Sequence, residues 1–314
     1  VRETGRTYFE RNEANPLEED LIIVDEASML DISLFYHLLC ALKDGARLIL
    51  VGDIDQLPPV GAGEPLKDLM SWGYVPIVRL KRIFRQEEGS GIVENAALIR
   101  KGEMCVPDEA GEFRIVYAAD DEDAYRIVMD LCRELNYGNE ENKMLLQVLS
   151  PMYRGVCGVD HLNESLQEMI HGEKVPDGMK FFPGDKVMQT RNDYEKGIYN
   201  GDVGTVWTAT PQKVFVRYFD KEVVYEGEER FDLRLAYAVT VHKSQGSEYE
   251  TVIFILRPSQ HNMLQRNLLY TGVTRARKNT ILVTAPDALR RALAIQHTGN
   301  RYSLFLPFLN HEAL

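Results

Sequence analysis

One stretch of the chain decides its fold class: Leu21-Ile22-Ile23-Val24-Asp25-Glu26-Ala27-Ser28, where a short apolar run meets two carboxylates. A continuous aliphatic run is typical of a strand whose two faces are both buried in a parallel sheet. Ligands of open α/β sheets bind beyond the carboxyl ends of the strands, where Asp25 and Glu26 would lie. An Asp there can hold the Mg²⁺ of a nucleotide, and a neighbouring Glu can deprotonate an attacking water. Two solvated carboxylates at a strand end explain this stretch equally well when it is taken alone.

Other apolar runs have the same character, and helical patterns lie between them. One helical pattern begins near Asp31 and ends before Gly45, and another runs from Asp160 to Gly172. Both begin with an N-cap residue type and end at a glycine. Strands that alternate with helices predict an α/β fold. The other runs that we predict to be buried parallel strands are 48–51, 146–149, 252–255 and 281–283.

The stretch from about Phe181 to Leu235 has a different character. It is rich in Val, Tyr, Phe and Gly, and a turn pattern, Asn200-Gly201, lies between two β-prone runs. We recognise no helical pattern in it. We interpret this stretch as a small antiparallel β-barrel inserted into an α/β domain.

Composition and charge leave the function open. The length of 314 residues suggests two or three domains, and the formal net charge is −12. A protein that coats DNA is usually basic. A translocating enzyme, however, needs only a local groove of donors and has to release the strand at each step, so acidity does not exclude a nucleic-acid motor.

The cysteines and the apolar runs exclude several classes of protein. The four cysteines are scattered and form no CxxC pair, which argues against a zinc site and against a disulfide framework. No apolar run approaches the ~20 residues of a membrane span. The first residues have no signal-peptide pattern, so we expect a cytoplasmic protein without a membrane partner.

A second polar segment, Gly52-Asp53-Ile54-Asp55-Gln56-Leu57-Pro58-Pro59, follows the second predicted strand. The amide of Gln56 can both donate and accept, so it suits contact with a terminal phosphate or an attacking water. A proline-stiffened turn is the alternative. Two such polar segments after two consecutive strands favour a nucleotide site over that alternative.

Cationic and hydrogen-bonding segments follow later in the chain. Arg85 and Arg275 could each clamp a γ-phosphate, because a guanidinium offers a fixed fork of donors. Taken alone, Arg85 fits a surface arginine better than a phosphate clamp, and the alternative for Arg275 is a basic helix end that favours the local dipole. The segment Thr240–Glu248 is dense in the donors expected at nucleic-acid phosphates, or it is a polar helix face that ends at Gly246.

These segments, in this order, resemble the RecD-like DNA helicases of superfamily 1B, the family of the exodeoxyribonuclease V alpha subunit. The similarity covers nearly the whole chain, and the ordered set is far more specific than any single motif. The segments that resemble helicase motifs II to VI are, in order, Asp25-Glu26, Gly52–Pro59, Arg85-Gln86, Thr240–Glu248 and Val273-Thr274-Arg275.

The resemblance implies an α/β fold with two RecA-like (P-loop NTPase) parallel-sheet motor domains, the first truncated and the second carrying an SH3-like β-barrel. Ser150–Gly155 resembles a loop of the second motor domain, and Gln189–Tyr194 resembles part of the SH3-like insert, domain 2B. The expected bounds are 1–16 for the remnant of a hairpin (1B-like), 17–105 for the partial first motor domain (1A), 106–175 with 236–314 for the second (2A), and 176–235 for the insert.

The resemblance also implies ATP and Mg²⁺ as cofactors, with a role for each matching residue. Asp25 would hold the ion through the nucleotide, and Glu26 would activate water. The other implied roles are γ-phosphate sensing for Gln56, arginine fingers for Arg85 and Arg275 from across the cleft between the motor domains, ribose contact for Glu248 and close backbone approach at Gly246.

The implied macromolecular partners are single-stranded DNA and single-strand/duplex junctions, together with other recombination or repair subunits. Members of this branch move 5′ to 3′ on single-stranded DNA, and this direction is implied by the resemblance alone.

The resemblance also implies DNA contact by the SH3-like insert, although a barrel that serves only for packing or protein docking is the alternative. The residues that the resemblance places at the strand are Pro59, Tyr153, Arg154, Thr190, Arg191, Asn192, Thr240, His242 and Lys243.

One expected motif is absent from the sequence. The pattern GxxxxGK(S/T), whose backbone amides and lysine cradle phosphates, does not occur. We therefore expect a C-terminal fragment of a motor, with little ATP binding or hydrolysis of its own. A non-hydrolysing DNA-binding or assembly subunit is the alternative. A nuclease is disfavoured because no separate carboxylate-rich cluster stands out.

Overall fold

The computed structural model describes residues 9–80, 89–176, 178–296 and 305–310, together with the backbone of two short strands at 2–3 and 6–7. Contacts within the chain divide it into two compact units, which we call the first and the second unit. The first unit comprises Val1–Arg82 with His297–Leu314, and the second comprises Ile83–Gln296.

The described part of the chain alternates strands and helices and has short 3₁₀ helices between some of them. In chain order the elements are β1 (Arg2–Glu3), β2 (Arg6–Thr7), β3 (Leu21–Val24), α1 (Ile32–Cys40), β4 (Arg47–Leu50), α2 (Pro65–Trp72), α3 (Gly91–Lys101), β5 (Phe113–Tyr117), α4 (Asp121–Glu134), β6 (Leu146–Ser150), α5 (Val159–His171), β7 (Lys186–Gln189), β8 (Val203–Ala209), β9 (Lys213–Arg217), β10 (Glu222–Glu226), β11 (Leu233–Leu235), β12 (Ala238–Thr240), β13 (Tyr249–Leu256), α6 (Arg266–Val273), β14 (Ala276–Thr284), α7 (Pro286–Ala294) and α8 (Phe305–Leu309).

The first unit is built on a parallel strand pair, β3 with β4, in which Ile23 is the register partner of Ile49. Burial alternates along both strands, so that one face is half-buried and the other is exposed. The prediction that both faces of these two strands are buried is therefore wrong for the described residues. The side chains on the open face are those of Leu21, Ile23, Ile49 and Val51.

The second unit is built on a five-stranded parallel sheet in the order β12-β6-β13-β14-β5. The interior strand β6 is buried throughout, and so are the second halves of β13 and β14. Here the continuous apolar runs do mark strands that are covered on both faces, as predicted. This sheet confirms the expected α/β fold class.

The inserted β-barrel is also confirmed. Its strands pair antiparallel in the order β10-β9-β8-β7-β11, between α5 and β12 in the chain. Its core includes the buried side chains of Phe181, Val187, Val206, Val216 and Tyr225. Burial alternates along β9 and β10, as expected for strands with one solvated face.

The division by contacts differs from the expected domain bounds in two places. Helix α3, which we expected in the first motor domain, packs in the second unit against α6, β5 and β14. Asn95 fixes the segment after α3, since its side chain donates to the Val106 carbonyl and accepts from the Val106 N–H, both at 2.8 Å. Helix α8, expected in the second domain, packs against α2 in the first unit.

In the part of the chain that the structure describes, no helix is both long enough and apolar enough to cross a membrane.

Candidate nucleotide site and nucleic-acid groove

Strand β3 leads Asp25 and Glu26 into a tight turn. Glu26 has φ 50° and ψ 36°, a left-handed conformation that residues other than glycine rarely adopt. The carboxylate of Asp25 accepts the Glu26 N–H at 2.7 Å, and the Ala27 N–H donates to the Val51 carbonyl at 2.8 Å. Strained backbone of this kind persists where the surroundings hold it, often at active sites. The turn thus holds two adjacent carboxylates at the carboxyl end of β3.

Gly52, the first residue after Val51, lies directly against this turn. A Cβ atom at Gly52 would be 2.8 Å from the backbone nitrogen of Ser28 and 3.2 Å from that of Ala27. Backbone cannot yield as a flexible side chain can, so only glycine fits here. The two polar segments that follow β3 and β4 are therefore in contact, as expected for parts of one site.

The segment after β4 is shaped by Asp53. The Gln56 N–H donates to the Asp53 carbonyl at 3.2 Å, and the Asp55 N–H donates to the Asp53 side chain at 3.0 Å. Gln56 is half-buried on this turn. Pro59, which we expected at the DNA strand, is buried.

The donor set at the end of β3 fits a magnesium ion that is bound with a nucleotide. Mg²⁺ usually takes one or two protein carboxylates and completes its shell with phosphate oxygens and waters. Asp25 is exposed and uses one of its oxygens for the Glu26 N–H. Among the described residues, no group of three or more His, Cys, Asp or Glu side chains could hold an ion by itself.

Arg275, the predicted arginine finger of the second unit, lies just after α6 and is 2% exposed. Its guanidinium donates from Nε to the Thr271 carbonyl at 3.3 Å and from Nη1 to the Ser247 carbonyl at 3.2 Å. The Arg275 carbonyl accepts the Tyr249 N–H at 3.0 Å. Arg275 therefore ties α6 to the Thr240–Glu248 segment.

The Thr240–Glu248 segment is not the polar helix that one interpretation suggested. It starts at the end of β12, forms a 3₁₀ helix over His242–Ser244 and turns at Gly246, which has φ 76°. Thr240 is buried, and its hydroxyl accepts the Lys243 N–H at 3.2 Å, so it caps this turn. His242 and Lys243 are half-exposed, and Glu248 lies 3.7 Å from Arg277.

Several residues expected at the DNA strand line one groove in the second unit, with a volume of about 920 Å³. Its walls are the loop after β6, the start of α5, the loop after β7, the 3₁₀ helix Gly227–Asp232, β11 and Lys243. The predicted residues that it brings together are Tyr153, Arg154, Thr190, Arg191 and Lys243. The residues that sequence reasoning missed are Asp160, Glu228, Glu229, Phe231, Asp232 and Arg234.

Hydrogen bonds fix the walls of this groove. The N–H and the hydroxyl of Thr190 both donate to the Asp232 carbonyl, at 2.7 and 2.8 Å. Lys243 Nζ donates to the side chain of Asn200 at 2.5 Å. Asn192, which we expected at the strand, is not among the groove-lining residues, and its side-chain oxygen accepts the Asn200 N–H at 2.9 Å.

The groove carries both signs of charge. Arg191 Nε lies 3.4 Å from an Asp232 oxygen, and Arg234 Nη1 lies 3.7 Å from an Asp160 oxygen. Burial lowers the pKa of Lys243, and the charge of Arg234 lowers it further. The cations that line it are Arg154, Arg191, Arg234 and Lys243, and the carboxylates are Asp160, Glu228, Glu229 and Asp232.

Arg85 and Gln86 lie outside the described residues, so the structure does not place this predicted arginine finger.

The sequence carries one signal for the groove residues that were not predicted. In Glu228-Glu229-Arg230-Phe231-Asp232 an aromatic residue is surrounded by charges, which favours exposure over burial of the ring.

The fold is that of RecA-like helicases. The crystal structure of Pif1 helicase from Bacteroides in complex with ADP-AlF3 and ssDNA matches with a TM-score of 0.57 at 20% identity, over 99% of this chain and 80% of that chain. Pif1 helicase from Candida albicans matches with a TM-score of 0.55 at 19% identity, over 93% and 77%.

The chain belongs to the RecD-like DNA helicases. Residues 4–114 match the AAA domain family, 162–218 the SH3 domain of ATP-dependent RecD-like DNA helicases, and 235–283 the UvrD-like helicase C-terminal domain. The ATP-dependent RecD2 DNA helicase of Deinococcus radiodurans is 37% identical over 96% of this chain and 41% of its own length. The RecBCD enzyme subunit RecD of Mycolicibacterium smegmatis is 33% identical over 94% and 56%. The chain thus spans about half the length of these relatives.

Proposed function

We propose that the protein is an ATP-dependent DNA helicase that moves 5′ to 3′ on single-stranded DNA and unwinds duplex in recombination or repair. The observation that carries this proposal is the strained Asp25-Glu26 turn, packed against Gly52 at the end of a parallel strand. The relatives named as an ATP-dependent DNA helicase and as a RecBCD subunit support it. RecBCD-type subunits are accordingly proposed as further partners.

In this proposal the residues of the turn divide the work of hydrolysis. Asp25 would hold Mg²⁺, which neutralises charge on the phosphate oxygens when it is bound. Glu26 would accept a proton from the water that attacks the γ-phosphate. The further proposed roles are γ-phosphate contact for Gln56, Arg85 and Arg275, ribose contact for Glu248 and close backbone approach at Gly246.

We further propose that this chain by itself hydrolyses little ATP. Its 314 residues contain no GxxxxGK(S/T) pattern. The backbone amides and the lysine of that loop make most of the contacts to the phosphates in P-loop enzymes. Experiments on turnover therefore call for the full-length protein.

Single-stranded DNA is proposed to lie in the groove of the second unit. Arg154, Arg191 and Lys243 supply cations for its phosphates, and Thr190 and Tyr153 lie beside them. His242 lies next to Lys243 on the same 3₁₀ helix and completes the proposed contact surface. The buried positions of Thr240 and Pro59 favour supporting roles for these two residues.

Substitution of Glu26 tests the proposed catalytic role. In the full-length protein, Glu26→Gln should lower ATP turnover stimulated by single-stranded DNA by at least ~10²-fold, because the general base is lost. Nucleotide affinity should stay unchanged, since the amide keeps the size of the carboxylate. Glu19→Gln, at an exposed carboxylate just before β3, is the matched control and should turn over normally.

Two outcomes would count against this proposal. Near-normal turnover in Glu26→Gln would remove Glu26 as the base. An absence of turnover in the wild-type full-length protein would favour the alternative, a non-hydrolysing DNA-binding or assembly subunit.

A further inference from the structure

Phe231 presents an aromatic ring in the proposed DNA groove. It lies on the 3₁₀ helix Gly227–Asp232, lines the groove and is 71% exposed. Single exposed aromatic residues are common on protein surfaces, so exposure alone indicates nothing. The position of this ring among the cations of the groove is what calls for an explanation.

The backbone on both sides of Phe231 is anchored. On one side, Glu226 and Glu229 form a reciprocal capping box, and Arg230 Nε donates to the Gly227 carbonyl at 3.0 Å. On the other side, Lys180 Nζ donates to the Leu233 carbonyl at 2.7 Å. An exposed ring on a fixed support is pre-organised for a ligand, because little ordering is needed when the ligand binds.

Since the groove carries charges of both signs, an uncharged contact would help it to hold a DNA strand. Because cations and carboxylates both line it, and Arg191 Nε lies 3.4 Å from an Asp232 oxygen, we expect phosphate attraction alone to be weak there. Single-stranded nucleic acids also bind by stacking their bases on aromatic side chains, irrespective of base sequence. A motor that moves along any sequence needs contacts of this kind.

We propose that Phe231 is a stacking platform for a base of single-stranded DNA, while Arg191 and Arg234 contact the neighbouring phosphates. This inference rests on the proposed function, because it requires a DNA strand in the groove.

The test measures how Phe231→Ala changes the affinity of the full-length protein for a labelled oligothymidylate. Loss of one stacked base should weaken binding roughly 10-fold, and Phe231→Trp should restore it. The slope of log affinity against log salt should not change, because no phosphate contact is lost, whereas Arg191→Ala should make it shallower by about one unit. Phe219→Ala is the matched control, since Phe219 is fully exposed in the β9–β10 turn of the same barrel and does not line the groove.

A second strand separates stacking from a structural effect. On an oligonucleotide that lacks bases throughout, Phe231→Ala and the wild type should bind equally, because there is no base to stack. Equal loss of affinity on both strands would overturn the proposal in favour of a structural role for the ring. Unchanged affinity in Phe231→Ala alongside weaker binding in Arg191→Ala would overturn it while the groove remains a DNA site. Unchanged affinity in both variants would count against the proposed DNA groove itself.

Discussion

In the groove of the second unit, acidic side chains face the arginines that we expect to contact phosphates. Asp232 lies 3.4 Å from Arg191, and Asp160 lies 3.7 Å from Arg234. Exposed ion pairs contribute only ~0–1 kcal/mol to stability, so we expect these pairs to affect mainly the affinity for a bound phosphate. A phosphate has to compete with a carboxylate for each arginine. Competition of this kind would keep the affinity moderate, as suits the proposed motor, which would have to release its strand at every step.

This competition predicts a gain in affinity. Asp232→Asn should bind single-stranded DNA a few-fold more tightly at low salt, because a charge near the phosphates is worth ~1 kcal/mol over ~4 Å in water. The gain should shrink at high salt as screening increases. Asp130→Asn is the control, since the exposed Asp130 pairs with Arg133 on α4 and does not line the groove. Anisotropy titrations that showed weaker or equal binding in Asp232→Asn would contradict this prediction.

Residue types allowed prediction of the chemistry but not of the local geometry. Asp25 and Glu26 could be recognised because two carboxylates follow an apolar strand. The left-handed conformation of Glu26 could not be predicted, because the contact with Gly52 that accompanies it joins two separate segments. Thr240 shows the same limit, since its hydroxyl suits a phosphate but is used as a cap within the protein.

Among the elements, the sequence pattern located strands better than it assigned their burial. The run at 146–149 and that at 21–24 look alike, yet the first is an interior strand buried on both faces and the second has an open face. A short apolar run shows that a strand is possible but not how many of its faces are covered. The strand β12 was missed because it has only three residues, and β5 because Arg114 interrupts its apolar pattern at a sheet edge.

Strand β7 joins the barrel to the sheet of the second unit through a buried lysine. Lys186 Nζ donates to the Leu146 carbonyl at 3.1 Å and to the Gln147 side chain at 2.9 Å. The rings of Tyr137 and Tyr249 lie 5.5 Å from it. Burial lowers the pKa of Lys186 to about 7, and the nearby charge of Lys143 adds to this effect.

This lysine should make stability depend on pH. Between about pH 7 and 10.5 the unfolded chain keeps a proton on Lys186 that the folded protein has lost, so stability rises with pH in this window. Lys186→Met lacks this contribution, so its Tm relative to the wild type should be highest near pH 6 and fall towards pH 9. Thermal melts of the full-length protein at these pH values measure the difference.

The control for this prediction is Lys278→Met, at an exposed lysine paired with Glu250. Its Tm relative to the wild type should change little with pH. If the Tm of Lys186→Met minus the Tm of the wild type stayed constant or increased from pH 6 to pH 9, a depressed pKa for Lys186 would be contradicted.

For the whole molecule, the order of motifs predicted the family and the place of the insert. The expected bounds of the motor domains stay a prediction, whereas contacts divide the chain into Val1–Arg82 with His297–Leu314 and Ile83–Gln296. Motif spacing records where chemistry lies along the chain, whereas a boundary depends on packing. The buried side chains of Ile92 and Ile99 in α3 belong to the second unit for that reason.

The most direct test of the proposed motor is the polarity of unwinding by the full-length protein. The substrates are matched duplexes that carry a single-stranded tail at either the 5′ or the 3′ end. We predict ATP-dependent unwinding of the 5′-tailed duplex, little unwinding of the 3′-tailed one, and loss of activity in Glu26→Gln. Unwinding from the 3′ tail alone, or unwinding by Glu26→Gln at the wild-type rate, would contradict this function.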